Sequence, residues 1–204
     1  MLHVILMRLL RPIRRWWYGP PDAAEAARDI LDRMLRRAFR CFRSEQFRRA
    51  LGFHELPERE HDFIFNELAA SSVVLPMLMV ESISTFTQPG AGRDLYRDLR
   101  AALEAEYAAM LERFGIPKKH QRQWRKLIDV KLREFTDTRL EHRDRFPEIG
   151  EGNPWPLVCT ITCLYHVRHG KNVEKDPALS LLSTLFTECT RDTMNILAHH
   201  TYRV

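Results

Sequence analysis

Apolar residues recur along this chain at helical spacing, and no convincing stretch alternates with period two, so the pattern predicts helices throughout. Gly and Pro stand where such helices would start and stop. A first amphipathic helix spans about 2–17 and is broken by Gly19-Pro20-Pro21. A second starts at Asp22, where Asp22 and Glu25 resemble a capping box, and runs to about residue 50 before Gly52. A third opens after Pro57, reaches about Thr87 and closes at Pro89-Gly90. The remaining segments are about 93–114, 117–146, 153–170 and 176–200, the last two opened by Asn153-Pro154 and Asp176-Pro177.

The third segment differs from the rest in being apolar on nearly every side. Phe63, Ile64, Phe65, Leu68, Val73, Val74, Leu75, Met77, Leu78, Met79, Val80 and Ile83 leave it no polar face, which predicts a buried central helix, kinked at Pro76. The fold class that follows is all-α: a single bundle-like domain of about six to seven helices, residues 22–204, around the central helix at about 58–87. Residues 1–18 form a basic amphipathic N-terminal arm. With 204 residues the chain is long enough for one domain with a sizeable core. No apolar run reaches the roughly 18–20 residues of a spanning helix, so no membrane-spanning segment is expected.

Charge changes this picture. Residues 1–50 hold twelve arginines against five acids, whereas the other 154 residues hold 20 bases and 22 acids. The whole basic excess of the chain therefore lies in its first quarter, and a one-sided field of this kind attracts an acidic surface. Projected at 100° per residue, Leu2, Ile5, Leu6, Leu9, Leu10, Ile13, Trp16 and Trp17 share one arc, and Arg8, Arg11, Arg14 and Arg15 fall opposite. Apolar residues below, arginines at the headgroups and Trp at the boundary make the pattern of an interfacial helix, although Pro12 interrupts its hydrogen-bond ladder. On the second helix Arg33, Arg36, Arg37, Arg40 and Arg43 form a second basic stripe, opposite Ile30, Leu31, Met34, Leu35, Ala38, Cys41 and Phe42.

Four cysteines, Cys41, Cys159, Cys163 and Cys189, stand among apolar helical residues and in no CxxC pair, which reads as free thiols in a reducing, intracellular compartment. A secretory signal is not expected, because Arg8 and Arg11 interrupt the apolar run; a mitochondrial presequence is an alternative, since no acid precedes Asp22.

Candidate chemistry is sparse. There is no Gly-rich phosphate loop, no G-x-S-x-G and no H-E-x-x-H. Glu67 and Glu81 lie on the apolar central helix about 21 Å apart, too far to share a site, and Glu81 is expected to sit the deeper of the two. A buried carboxylate needs a partner, and an Arg or His of another helix is the expected one. The metal alternative has Glu81 joined by Glu106, His120, His142 and His166. Cys159, Cys163 and His166 share one side of the sixth helix, but a purely helical CxxxC lacks the tight turn usual in zinc sites. Glu58…His61 supplies one of the two Glu-x-x-His pairs of a di-iron bundle, and His61-Asp62 lacks the flanking ligands of a phosphohydrolase.

These observations predict a non-enzymatic helical interaction or adaptor protein. It docks through Leu6, Arg8, Leu9, Arg11, Ile13, Arg14, Arg15, Trp16 and Trp17, and through Arg33, Arg36, Arg37, Arg40 and Arg43, on an anionic membrane surface or the acidic protein surface of a larger complex. It is expected to be cytoplasmic and peripheral to a membrane, with no cofactor. A metal- or haem-binding helical protein is the alternative, and nucleic-acid association through the arginine stripe a further one.

Overall fold

The computed structural model describes residues 23–87, 91–141, 153–171, 173 and 175–201. The N-terminal arm, with Leu6 to Trp17 of the expected docking surface, and His142 lie outside them. The described residues form seven α-helices and no strand, an all-α bundle-like domain. In chain order the helices are α1 (Ala23–Arg43), α2 (Glu45–Leu51), α3 (Glu58–Phe86), α4 (Ala91–Arg113), α5 (Lys118–Glu141), α6 (Trp155–Val167) and α7 (Leu179–Thr201), with a 3-10 turn at Phe53–Glu55 before α3.

The expected single helix from 22 to about 50 is two helices. Ser44 leaves helical geometry at φ −66°, ψ 135°, and its hydroxyl accepts a hydrogen bond from Phe47 N–H. A serine that caps a new helix satisfies a backbone donor that would otherwise lack a partner, so the chain turns there instead of running on. Gly52 then ends α2 at φ +71°, a left-handed geometry that a residue with a Cβ adopts only at a cost. The last two helices begin just after the expected caps: α6 has Pro154 at its capping position, with Asn153 Oδ1 accepting from Trp155 N–H, and α7 begins at Leu179 after a turn in which Asp176 Oδ1 accepts from Ala178 N–H.

α3 is the centre. Every residue from Glu67 to Val80 is buried, and α1, α4, α5, α6 and α7 all pack on it. The helix continues unbroken through Pro76. Its segment Glu58–Thr85 has the length and hydropathy of a membrane-crossing helix, contrary to the reading that no apolar run is long enough. Of its most apolar stretch 83% is buried inside the domain, so the hydropathy is that of a core helix surrounded by others. α1 lies between α4 and α7, and α6 bridges α3, α5 and α7. This leaves one side of α1, the middle of α3, the end of α4 and the start of α5 around a common opening.

Candidate functional site: an apolar cavity with basic edges

That opening is a cavity of about 380 Å³. α1 contributes Asp32, Leu35, Arg36 and Phe39; α3 contributes Phe65, Ala69 and Val73. The end of α4 and the turn after it supply Tyr107, Met110, Leu111, Phe114 and Ile116, and α5 supplies Trp124. Among the described lining residues only Asp32 and Arg36 are charged, and they pair with each other at 2.9 Å on the α1 edge. Both size and lining are those of a small-molecule or side-chain site, which is concave, mostly apolar and bears few polar groups. A second cavity of about 360 Å³ lies on the other side of Trp124 and Ile116, with Asn66, Pro117, His120, Gln123 and Leu127.

Two aromatic side chains flank the opening while remaining in solvent. Phe114 is 66% exposed at the α4–α5 turn, and Phe39 is 47% exposed on α1, its ring edge-to-face with Phe65. Tyr107, in the cavity wall, is driven above the usual tyrosine range by burial alone, with no hydrogen bond contributing.

Basic side chains stand on α1 beside the opening and along the exposed side of α5. On α1 Arg36 is in the cavity wall, and the Arg43 guanidinium lies 5.5 Å from the centre of the Phe39 ring. On α5 Lys118, Lys119, Arg122, Arg125 and Lys126 are all exposed and precede the first acid, Asp129. At 100° per residue Lys119 and Lys126 fall within about 60° of Gln123, which lines the second cavity, and about 140–160° from Trp124, the α5 residue of the first. Lysines at a helix N-terminus oppose the helix dipole, and α5 has no acid in its first turn. Sequence reading missed this second basic cluster, although five bases between Pro117 and Asp129 were its available signal.

The arginine stripe of α1 is not one solvated face. Arg37 turns towards α7, with Nε 2.5 Å from Asp192 Oδ2 and its Nη1 bonded to Glu188; Arg33 lies 3.9 Å from Asp192 Oδ1. The hydrogen bond to Asp192 holds the Arg37 guanidinium charged, above its already high ordinary range, against the opposing effect of burial. Asp192 is buried and draws these side chains in. Arg36 and Arg43 turn the other way, and Arg40 is exposed, its Nε reaching only the Arg36 carbonyl at 3.4 Å. Of the five, Arg33 and Arg37 reach α7, whereas Arg36 pairs with Asp32 on its own helix and Arg40 and Arg43 are exposed.

The metal candidates among the described residues, Glu81, Glu106, His120 and His166, do not meet. Glu81 is 63% exposed in its side chain, its nearest cation Arg100 Nε at 3.8 Å, so the expectation that it is the deep carboxylate is wrong. It stands one residue past the fully buried stretch of α3, where surrounding helices no longer cover it. Exposed pairs of this kind contribute about 0–1 kcal/mol. Glu106 is buried on α4 and held by Arg28 at 3.3 Å and Arg113 at 2.5 Å. His120 is exposed beside Gln123 on α5, and His166 on α6 bonds Glu134. Among the described residues no three His, Cys, Asp or Glu side chains stand close enough to share an ion. His61 stacks on Phe53 and bonds its carbonyl at 3.0 Å, a packing role.

The deep carboxylate is Glu67, 5% exposed. Its partner is neither Arg nor His but Lys131 of α5, 2% exposed, with Nζ 2.7 Å from Glu67 Oε2 and 3.1 Å from Glu134 Oε2. His166 completes the chain on the other oxygen of Glu134. Four ionisable side chains thus tie α3, α5 and α6 together.

All four cysteines are free thiols. Burial pushes Cys41, Cys163 and Cys189 up to about 12 and Cys159 well above its ordinary value. Since the thiolate is the reactive form, Cys159, Cys163 and Cys189 are expected to resist a thiol reagent in the folded protein at neutral pH and to react within the mixing time once unfolded in guanidinium. Equal rates in the two states, followed by absorbance of the released chromophore, would contradict their burial.

Compared with protein-family models, with curated proteins and with solved structures, the chain has no significant match in any of the three.

Proposed function

We propose that this is a non-enzymatic helical interaction protein that docks on an anionic membrane surface through its basic N-terminal region and the face around the cavity. The observation that supports this reading is Phe114, the most exposed large apolar side chain described, at a tight turn whose next residues include Lys118 and Lys119. An aromatic ring with flanking lysines combines apolar insertion with attraction to headgroups. Each basic residue near an anionic surface contributes about 1 kcal/mol. Arg36, Arg40 and Arg43 add charge on the α1 edge, and Phe39 a second ring. The arm at residues 1–18 belongs to the same reading through its arginines and Trp16 and Trp17.

Co-sedimentation of the full chain with phosphatidylglycerol vesicles and with phosphatidylcholine vesicles tests it. Binding is expected to the anionic vesicles, weakening as salt is raised. The triple variant Phe114→Ser, Lys118→Glu, Lys119→Glu alters exposed positions only and is expected to bind at least about tenfold more weakly. Equal binding to neutral vesicles, or a triple variant that sediments like the parent, would refute the reading.

A further inference from the structure

The surface chemistry above accounts for Phe114 and the lysines but not for a cavity of about 380 Å³ behind them. We propose that this cavity is a binding site for the single acyl chain of an anionic amphiphile, with its carboxylate or phosphate head at Arg36. Its membrane source rests on the docking proposed above; the site itself does not.

The wall selects the ligand class. Beside the Tyr107 hydroxyl and the Trp124 indole N–H it is built from Leu35, Phe65, Ala69, Val73, Met110 and Leu111, which offer no hydrogen bond, so a sugar, a nucleotide or a polar metabolite would lose most of its water contacts there without replacement. A hydrocarbon chain loses nothing and gains dispersion contacts as it leaves water. The charge at the opening selects the head. Among the described residues Arg36 pairs only with Asp32, its neighbour one turn earlier on the same exposed face, and Arg43 stands over Phe39 beside it. An incoming anion can take up a guanidinium whose existing pair is exposed and weak. The head therefore stays in solvent with the arginines while the chain passes inward between Phe39 and Phe114 towards Val73. A neutral oil would lack the head contact, and a cationic detergent would meet Arg36 and Arg43 as like charges.

The test is equilibrium binding of radiolabelled palmitate to the full chain, with myristate, laurate and palmityl alcohol as competitors. The expected result is one saturable site whose affinity falls about tenfold for each two methylenes removed, the loss that burial of those methylenes implies. Arg36→Glu is expected to weaken palmitate at least tenfold and leave palmityl alcohol unchanged, a split that damage to the fold would not produce. Ala69→Phe fills the wall and is expected to weaken both ligands; helicity measured by circular dichroism verifies that the variant is folded. Phosphatidylglycerol vesicles that displace palmitate assign the chain to a membrane lipid, and palmitate retained in their presence assigns it to a free fatty acid; each supports the site. Affinity independent of chain length, or unchanged in folded Ala69→Phe, overturns it, as does displacement by an acidic amphipathic peptide together with no saturable palmitate binding. Vesicle binding that survives such a result leaves the docking reading standing, so the two fail separately.

Discussion

Replacing Lys131 with methionine is expected to destabilise the domain by about 3–5 kcal/mol, the typical effect of removing one partner from a buried ion pair. Lys131 is 2% exposed and lies 2.7 Å from Glu67, itself 5% exposed. Methionine keeps the length and apolar stem, so the loss isolates the charge left behind at Glu67. Against a domain stability of about 5–15 kcal/mol, such a loss would bring the protein close to unfolding. Adding Glu67→Leu to Lys131→Met should recover most of it, because two apolar side chains no longer strand a carboxylate. Urea unfolding of both variants measures the difference, and a single variant within about 1 kcal/mol of the parent would refute the pair's burial.

The same network sets a pH dependence. Burial by itself would raise Glu134, but the His166 hydrogen bond and the Lys131 charge outweigh it and hold the carboxyl below its ordinary value of 4.5. A carboxyl lowered in the folded state contributes stability above its unfolded pKa and loses it as pH falls through the folded value. Stability is therefore expected to decline on the acid side, below about pH 4.5, and Glu134→Gln to make that decline shallower.

The second large effect is expected at Arg37. Arg37→Met removes the guanidinium that bonds Asp192 at 2.5 Å and also bonds Glu188, while the aliphatic stem stays packed. Losing hydrogen bonds between charged groups and exposing a buried aspartate to no close partner should cost about 2 kcal/mol, with Arg33 at 3.9 Å from Asp192 limiting the loss. Arg40→Met, three residues on, is expected to stay within about 0.5 kcal/mol of the parent. A double-mutant cycle with Asp192→Asn measures the coupling, and a value near zero would mean that α1 does not depend on this contact to sit against α7.

Arg37 and Arg40 also show where sequence reading stops. Both are arginines on the polar side of one amphipathic helix, and periodicity alone assigns them alike. What separates them is Asp192, more than 150 residues away, on the helix that happens to lie beside α1. Glu67 and Glu81 pose the same problem in reverse. Both interrupt one apolar run, yet the helices around α3 cover the first and stop short of the second. The arm and its tryptophans, the strongest functional signal in the sequence, lie outside the described residues.

By itself, the sequence determined the all-α class, the central position of α3 and the helix starts two to three residues after Asn153 and Asp176. These are decided within a few residues, by hydrophobic period and by side chains that cap their own backbone. The break at Ser44 was equally local, since serine is a strong cap, but was hidden by an apolar pattern that continues through it. Only the tertiary structure decided the Lys131 chain, the turning of Arg37 towards α7 and the cavity itself. Each joins side chains from helices far apart in sequence. Periodicity says which side of a helix faces inward, whereas the packing of neighbouring helices determines what waits there.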